Sequence, residues 1–467
     1  MKSILKFYPL ILFLILSVNV YAQLTVTGQL RTRSELRQGQ GTLPEHGTDP
    51  AFFTSQRTRL TASYEMYRIK FHTTLQDVRV WGQDRSTVNR NTIDANDGIL
   101  LHEAWAEIRL TDTNSLIDEL TLKLGRQELA YNDHRVLGNL DWMQFGRRHD
   151  LALLKFSEKG WAMHLGLAYN QNKENKAGTI YNGTPSVSEG YPANYTAGTN
   201  GIGVMYKSMQ FLWLNKNFRL LNTSLLLFKD DFNRYTVTGQ SKLYGKGVWS
   251  RYTSGIILEP VILKKLNVHN SYYYQCGRDK DGNRLQAFLI SLYTTYNLSS
   301  RFSFGPGFDF TSGNNELKSS SVNHAFDPLY GTPHKFWGYM DYFYVADGSG
   351  TGGLKDFYLK TKLKLSPRLS ASLDLHEFYT GNKLAEKTAA GVKERNPRLG
   401  TEVDFLMVYT LTPAISFEGG YSLMAGTNTL DAIKSPSVNN KNTGHWAYLM
   451  IGIKPSAVLS VLNNKKS

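Results

Sequence analysis

The chain has 467 residues, and beyond Val20 no run approaches the ~20 consecutive apolar positions of a membrane-crossing helix, so any crossing must be made by strands. Its 53 Lys plus Arg against 39 Asp plus Glu give a formal charge of +14, which selects an anionic partner. Nucleic acid is set aside, because no helix-turn-helix, zinc-finger or RNP-like motif is present. The single cysteine, Cys276, excludes an intrachain disulfide framework.

At the N-terminus, Lys2 and Lys6 precede an apolar stretch from Tyr8 to Val18 and an A-x-A-like Val20-Tyr21-Ala22. Residues 1–22 are therefore expected to be a signal peptide and residues 23–467 one exported domain. Without Lys2 and Lys6 its charge is +12.

Segments of about ten residues then alternate with period two from end to end, the pattern of a wall wetted on one face and in lipid on the other. Leu24, Val26 and Leu30 oppose Gln29, Arg31 and Arg33; Leu60, Ala62 and Tyr64 oppose Arg57, Arg59 and Glu65. Around residue 125 the alternation meets a conflict. Arg126 has the parity of Leu122 and Leu124, and an arginine facing mid-bilayer lipid costs about 2–4 kcal/mol. Gly125 is expected to kink or end the strand there and free Arg126 for the lumen or rim.

In the C-terminal half, Phe357, Leu359 and Leu363 oppose Tyr358, Lys360 and Lys362, and Leu373 and Leu375 oppose Asp374 and His376. A soluble sandwich would also alternate, but connection lengths separate the two. Ser366-Pro367-Arg368, Leu298-Ser299-Ser300 and Thr412-Pro413 are tight turns, whereas Thr380 to Pro397 and Gly426 to Thr443 are long. The fold expected is an all-β, transmembrane antiparallel β-barrel of about 18 strands, with short periplasmic turns and long extracellular loops. The last strand is Gly444 to Lys454. An even count requires that Phe336 to Tyr344 is no wall strand, which makes residues 312–354 one excursion and a candidate pore-covering segment.

Motifs for catalysis are missing: there is no G-x-S-x-G, no H-E-x-x-H and no Cys/His cluster, so neither enzyme activity nor a metal or other cofactor is expected. Phe304-Gly305-Pro306-Gly307 lacks the Lys-Ser/Thr of a phosphate loop and reads as a bulged strand. Asp347 to Gly353 lacks recurring acidic ligands and reads as a flexible connection. The bases with polar parity, Arg31, Arg33, Arg57, Arg59, Lys360 and Lys362, point inward. Some will pair with lumen acids such as Glu35, Glu65 and Asp374, and others will lie near lipid headgroups at the rims.

One stretch is denser than the rest: Gly125-Arg126-Gln127, then Asp133-His134-Arg135, Asp141-Trp142 and Gly146-Arg147-Arg148-His149-Asp150. Together with Gln76-Asp77-Val78-Arg79-Val80-Trp81-Gly82, it resembles the alginate-export family of outer-membrane proteins. Pro333 to Asp341 and Asp374 to Phe378 are similar more loosely. The resemblance implies an 18-stranded barrel with an arginine-rich constriction that passes a polyuronate outward. It puts Arg79, Arg126, Arg135, Arg147 and Arg148 near that constriction. The expected function is an outer-membrane channel with a basic lumen for an anionic polysaccharide or sugar acid. A general anion-tolerant porin for small solutes is the alternative, and an enzyme or adhesin barrel comes third. Partners expected are that anion and outer-membrane lipid, with no nucleic acid, and a periplasmic partner is left open.

Overall fold

A computed structural model describes residues 22–82, 98–112, 117–171, 178, 181, 205–239, 241–345, 350–434 and 439–461. The expected signal segment before Ala22 lies outside the described residues. No described helix is long and apolar enough to cross a membrane.

Strands dominate. In chain order they are β1 (Ala22–Gln38), β2 (Ala51–Met66), β3 (Ile69–Val80), β4 (Leu100–Arg109), β5 (Glu119–Gln127) and β6 (His149–Glu158). Next come β7 (Trp161–Tyr169), β8 (Ser208–Phe218), β9 (Leu221–Thr238), β10 (Ser241–Leu263), β11 (Leu266–Arg278) and β12 (Arg284–Asn297). The last are β13 (Phe302–Thr311), β14 (Leu354–Lys364), β15 (Leu369–Thr380), β16 (Arg398–Thr412), β17 (Ile415–Gly426) and β18 (Thr443–Ile453, resuming after Pro455 as Ser456–Val461). Each pairs antiparallel with the next, and β1 pairs with both β2 and β18, so the sheet closes. Closure leaves no sheet edge in lipid, which is what lets strands cross a bilayer at all.

The expected 18-stranded antiparallel barrel is borne out, down to a final strand over Thr443–Ile453. Alternation sorts the two faces. Leu60, Phe71, Leu124, Phe357, Leu373 and Phe405 stand exposed on the outside, where lipid covers them, while Arg57, Gln76, Asp356, His376 and Glu402 are buried inside. Tight turns such as Tyr67-Arg68, Lys159-Gly160 and Lys264-Lys265 all fall on one rim, while the other carries the long loops together with the short connections from Thr238 to Ser241 and from Arg278 to Arg284.

The lumen is filled at mid-height. The β5–β6 loop and the β13–β14 loop fold inward and pair through a parallel bridge between Leu137 and Tyr330. Around them Trp337, Met340, Tyr342 and Phe343 are all but inaccessible. Phe336 to Tyr344 thus lies inside the wall rather than in it. Its aromatics could not be left in water, and the inward faces of β15, β17 and β18 supply the apolar cover through Phe378, Met424 and Trp446.

Candidate substrate pathway

Three inward arginines of β1 and β2 converge on one aspartate of the β5–β6 loop. Asp141 Oδ1 accepts from Arg57 Nη2 (2.8 Å) and Arg59 Nη1 (3.4 Å), and Asp141 Oδ2 stands 3.5 Å from Arg31 Nη1. Arg31 also donates to the Asp141, Trp142 and Met143 carbonyls and to Gln144 Oε1. Arg33 donates to Glu35 (2.8 Å) and lies over the Trp142 ring (4.3 Å). Although burial pushes the Asp141 carboxyl up, Arg57, Arg31 and Arg59 hold it below the usual carboxylate range. The inward parity of these four arginines is as expected, but the loop covers Arg31, Arg33 and Arg57. They grip the loop instead of lining open water.

Arg135 is the second anchor. Its guanidinium donates to both Asp309 oxygens on β13 (2.7 and 3.1 Å), to Asp133 Oδ2 (2.9 Å) and to Ser291 on β12 (2.8 Å), with the Phe336 ring 4.0 Å away. Arg147 is buried and donates to the Gly331 carbonyl (2.6 Å), which ties the two loops together. Arg148, beside it, makes no ion pair among the described residues.

Below this filling lies a chamber of about 640 Å³ lined by Arg135, Lys335, Lys360 and Lys362, with Asp133 and Asp374 as its acids and Phe336, Tyr339 and Tyr358 as its aromatic faces. Its lower lining, Thr295, Ser303, Lys362 and Ser372, belongs to strand ends next to the short turns, so the chamber opens toward the short-turn rim. Lys360 is 3.4 Å from Asp374. Lys362 has no ion-pair partner among the described residues. Partial burial, and then the nearby Arg135 and Lys360 charges, push the Lys335 ammonium below its usual value in spite of Asp133.

Two of the expected pathway residues stand elsewhere. Arg126 is on the outward face, paired in both oxygens with Asp150 (2.8 and 2.9 Å) and with more than a third of its side chain exposed. Gly125 does adopt a left-handed φ of +121°, close against the Ala104 carbonyl, but the ladder to β4 and β6 continues through it, so parity is kept. Placement near the long-loop end and the Asp150 partner spare the arginine the mid-bilayer cost. Arg79 also faces outward, bonded to Asp77 (2.8 Å) near the same rim. Arg126→Ala is accordingly expected to leave ion selectivity unchanged and to cost no more than ~1 kcal/mol, as exposed pairs do. A reversal potential under a salt gradient checks the first, a denaturant midpoint the second.

The inward residues that sequence reading passed over are Asp309, His269 and Tyr293; Tyr358 has the inward parity expected of it, but the expected pathway does not include it. Their parity marks them as lumenal, yet nothing local says that β11 to β14 face the tip of the β5–β6 loop.

Residues 22–170 match the family model described as alginate export. No curated protein matches. Among solved structures the chain is similar to Acinetobacter baumannii OccAB4 (TM-score 0.57, 13% identity, 93% of this chain and 98% of that one). It is similar also to Pseudomonas aeruginosa OccK11 (OpdR), at TM-score 0.54 and 13% identity over 94% and 96% of the two chains. Pseudomonas aeruginosa OpdK, crystallised with vanillate, matches at TM-score 0.54 and 10% identity over 93% and 99%. At such identities the likeness is one of fold. The resemblance read from Gln76–Gly82 and Gly125–Asp150 falls inside the matched region, and the chain is an integral outer-membrane β-barrel with the fold of these solved barrels, its N-terminal third matching the alginate-export model.

Proposed function

We propose that this barrel passes an anionic polysaccharide or sugar acid through a basic lumen, with the Arg135, Lys335, Lys360 and Lys362 chamber as the place where carboxylates are held. The observation that carries this reading is the composition of that chamber, four Lys or Arg side chains and His269 against two carboxyls, with Lys362 unpaired among the described residues. Phe336, Tyr339 and Tyr358 add faces on which a sugar ring can lie while the ammonium groups meet its carboxylate. Arg31, Arg33, Arg57, Arg59, Arg147 and Arg148 contribute positive potential around the loop above.

Lysines act here as mobile point charges, so Lys360→Gln/Lys362→Gln should weaken anion preference without disturbing the wall. In a salt gradient the wild-type reversal potential should lie on the anion side, shrink as salt is added, and move toward zero in the double variant. A cation-selective wild type, or a variant with unchanged selectivity, would sink the proposal.

Small organic anions form a second reading, favoured by the chamber volume of about 640 Å³ and by the likeness to a barrel crystallised with vanillate, an aromatic carboxylate. Current block separates the two. Oligouronates that block more tightly than their monomer support the polymer, and equal block by the monomer and by aromatic carboxylates supports small solutes.

A further inference from the structure

The turn at the centre of the β13–β14 loop is seated on two carboxyls. Glu402 and Asp404 stand two residues apart on the inward face of β16, and both are buried. The Met340 N–H donates to Glu402 Oε1 (2.8 Å), the Tyr339 N–H to Asp404 Oδ2 (3.3 Å), and the Ser422 hydroxyl to Asp404 Oδ1. Gly338, at φ +81°, approaches so closely that a Cβ there would stand 2.5 Å from Glu402 Oε1.

No cation pairs with either carboxyl among the described residues. Across the ladder, Asp374 opposes Asp404 and takes Lys360 (3.4 Å), and His376 opposes Glu402 and is held by Asp356 (2.9 Å). On the other side stand Ser422 and Met424 of β17. From the loop, Asp341 is bonded to His334 (2.6 Å) and to Gln40 (3.2 Å).

Glu402 Oε2 is the anomaly. It is buried and accepts from no donor among the described residues, although its carboxyl lies beside that of Asp404, the two accepting from the N–H groups of consecutive residues. Two bare carboxylates side by side repel, and a buried carboxylate oxygen without a donor loses its hydration for nothing. One shared proton removes both penalties, because it turns one carboxyl into a donor toward the other and halves their charge.

We infer that Glu402 and Asp404 share one proton and that this proton latches the Gly338–Met340 turn inside the lumen, so that its loss in alkaline solution frees the turn and widens the pore. The latch is complete at low pH and is lost as the pH rises. While the latched pair still holds the proton and the released pair has lost it, the latched-to-released ratio falls about tenfold per pH unit, the slope of a single proton.

Salt current through the full-length barrel in a planar bilayer tests this whatever the substrate is. Wild-type conductance in potassium chloride should rise severalfold from acid to alkaline pH. Glu402→Gln, which keeps a donor toward Asp404 at every pH, should hold the low level throughout. Gly338→Ala, whose methyl group collides with Glu402, should show the high level throughout. A wild-type conductance independent of pH overturns the inference, as does a pH step that survives in Glu402→Gln and so belongs to His334, His376 or another group. Should Glu402→Gln not assemble, infrared spectra of the wild type decide: a protonated-carboxyl band present in the latched state and lost with the conductance step supports the shared proton, and absence of that band overturns it.

Discussion

Arg135→Ala is expected to destabilise the barrel by about 3–5 kcal/mol, the usual cost of removing one partner from a buried ion pair. Asp309 is 1% exposed and would keep its charge with no cation left to meet it. Asp133 would lose the guanidinium and retain the backbone N–H of residue 135 (3.1 Å) and its bond to His269 (3.2 Å). Burial pushes the Asp133 carboxyl up, but the His269 hydrogen bond and the Arg135 charge hold it at about 2. In the wild type its contribution is thus fully present above the ordinary aspartate value and is lost as the pH falls through about 2. The variant should lose much of this acid-side dependence. Thermal mobility shifts on semi-native gels measure the loss of stability. Adding Asp309→Leu should restore part of it, because no carboxylate is then left buried without a cation at position 309. If Arg135→Ala unfolded within a few tenths of a kcal/mol of wild type, the β5–β6 loop would not be held at this point.

Asp141→Ala comes next, at about 3 kcal/mol, the low end of the same range because nearly half of the Asp141 side chain reaches solvent. Arg57 is fully buried and would keep only the Gln29 side chain and the loop carbonyls as acceptors. Arg31, Arg57 and Arg59 would then repel one another, with Glu128, 3.6 Å from Arg59, as the one carboxylate left beside them among the described residues. The simplest relief is for residues 139–146 to lift off β1 and β2, which opens a second gap in the lumen. Conductance should increase while anion preference strengthens, since the guanidinium groups of Arg31 and Arg57 are freed to face the water. Asp141→Asn separates charge from packing: a similar rise in conductance assigns the anchor to charge, and a near-wild-type current assigns it to hydrogen bonding.

The wall of this barrel was legible because its rule is local. Alternation of Leu60, Ala62 and Tyr64 with Arg57, Arg59 and Thr61 states which face each residue takes, and tight turns at Pro367 and Pro413 fix the side to which strands return. Counting crossings then removed Phe336 to Tyr344 from the wall with no further information. The interior was not legible, since its partners come from strands far apart in sequence. Parity says that Arg135 and Asp309 are both available to the lumen, but only the closed cylinder brings residues 174 positions apart to 2.7 Å. Arg126 illustrates the opposite error. A glycine beside a misplaced charge suggested a kink, whereas the answer was a cross-strand aspartate, Asp150, in a strand that begins after a 21-residue loop.

The inward loops touch four separate sectors of the cylinder: β2 through Arg57 and Asp141, β9 through Tyr330 and Asp230 (2.8 Å), β13 through Arg135 and Asp309, and β16 through Met340 and Glu402. A hollow tube yields first by flattening, because bending its wall into an ellipse stretches no hydrogen bond. Ties that span the bore oppose this mode directly, as spokes do in a wheel, so the cross-section stays round under lateral pressure from the bilayer. The same ties set an order for assembly. The spoke to β16 cannot form until most of the chain has been laid into the wall, so the tube closes while its bore is still open and the interior locks last.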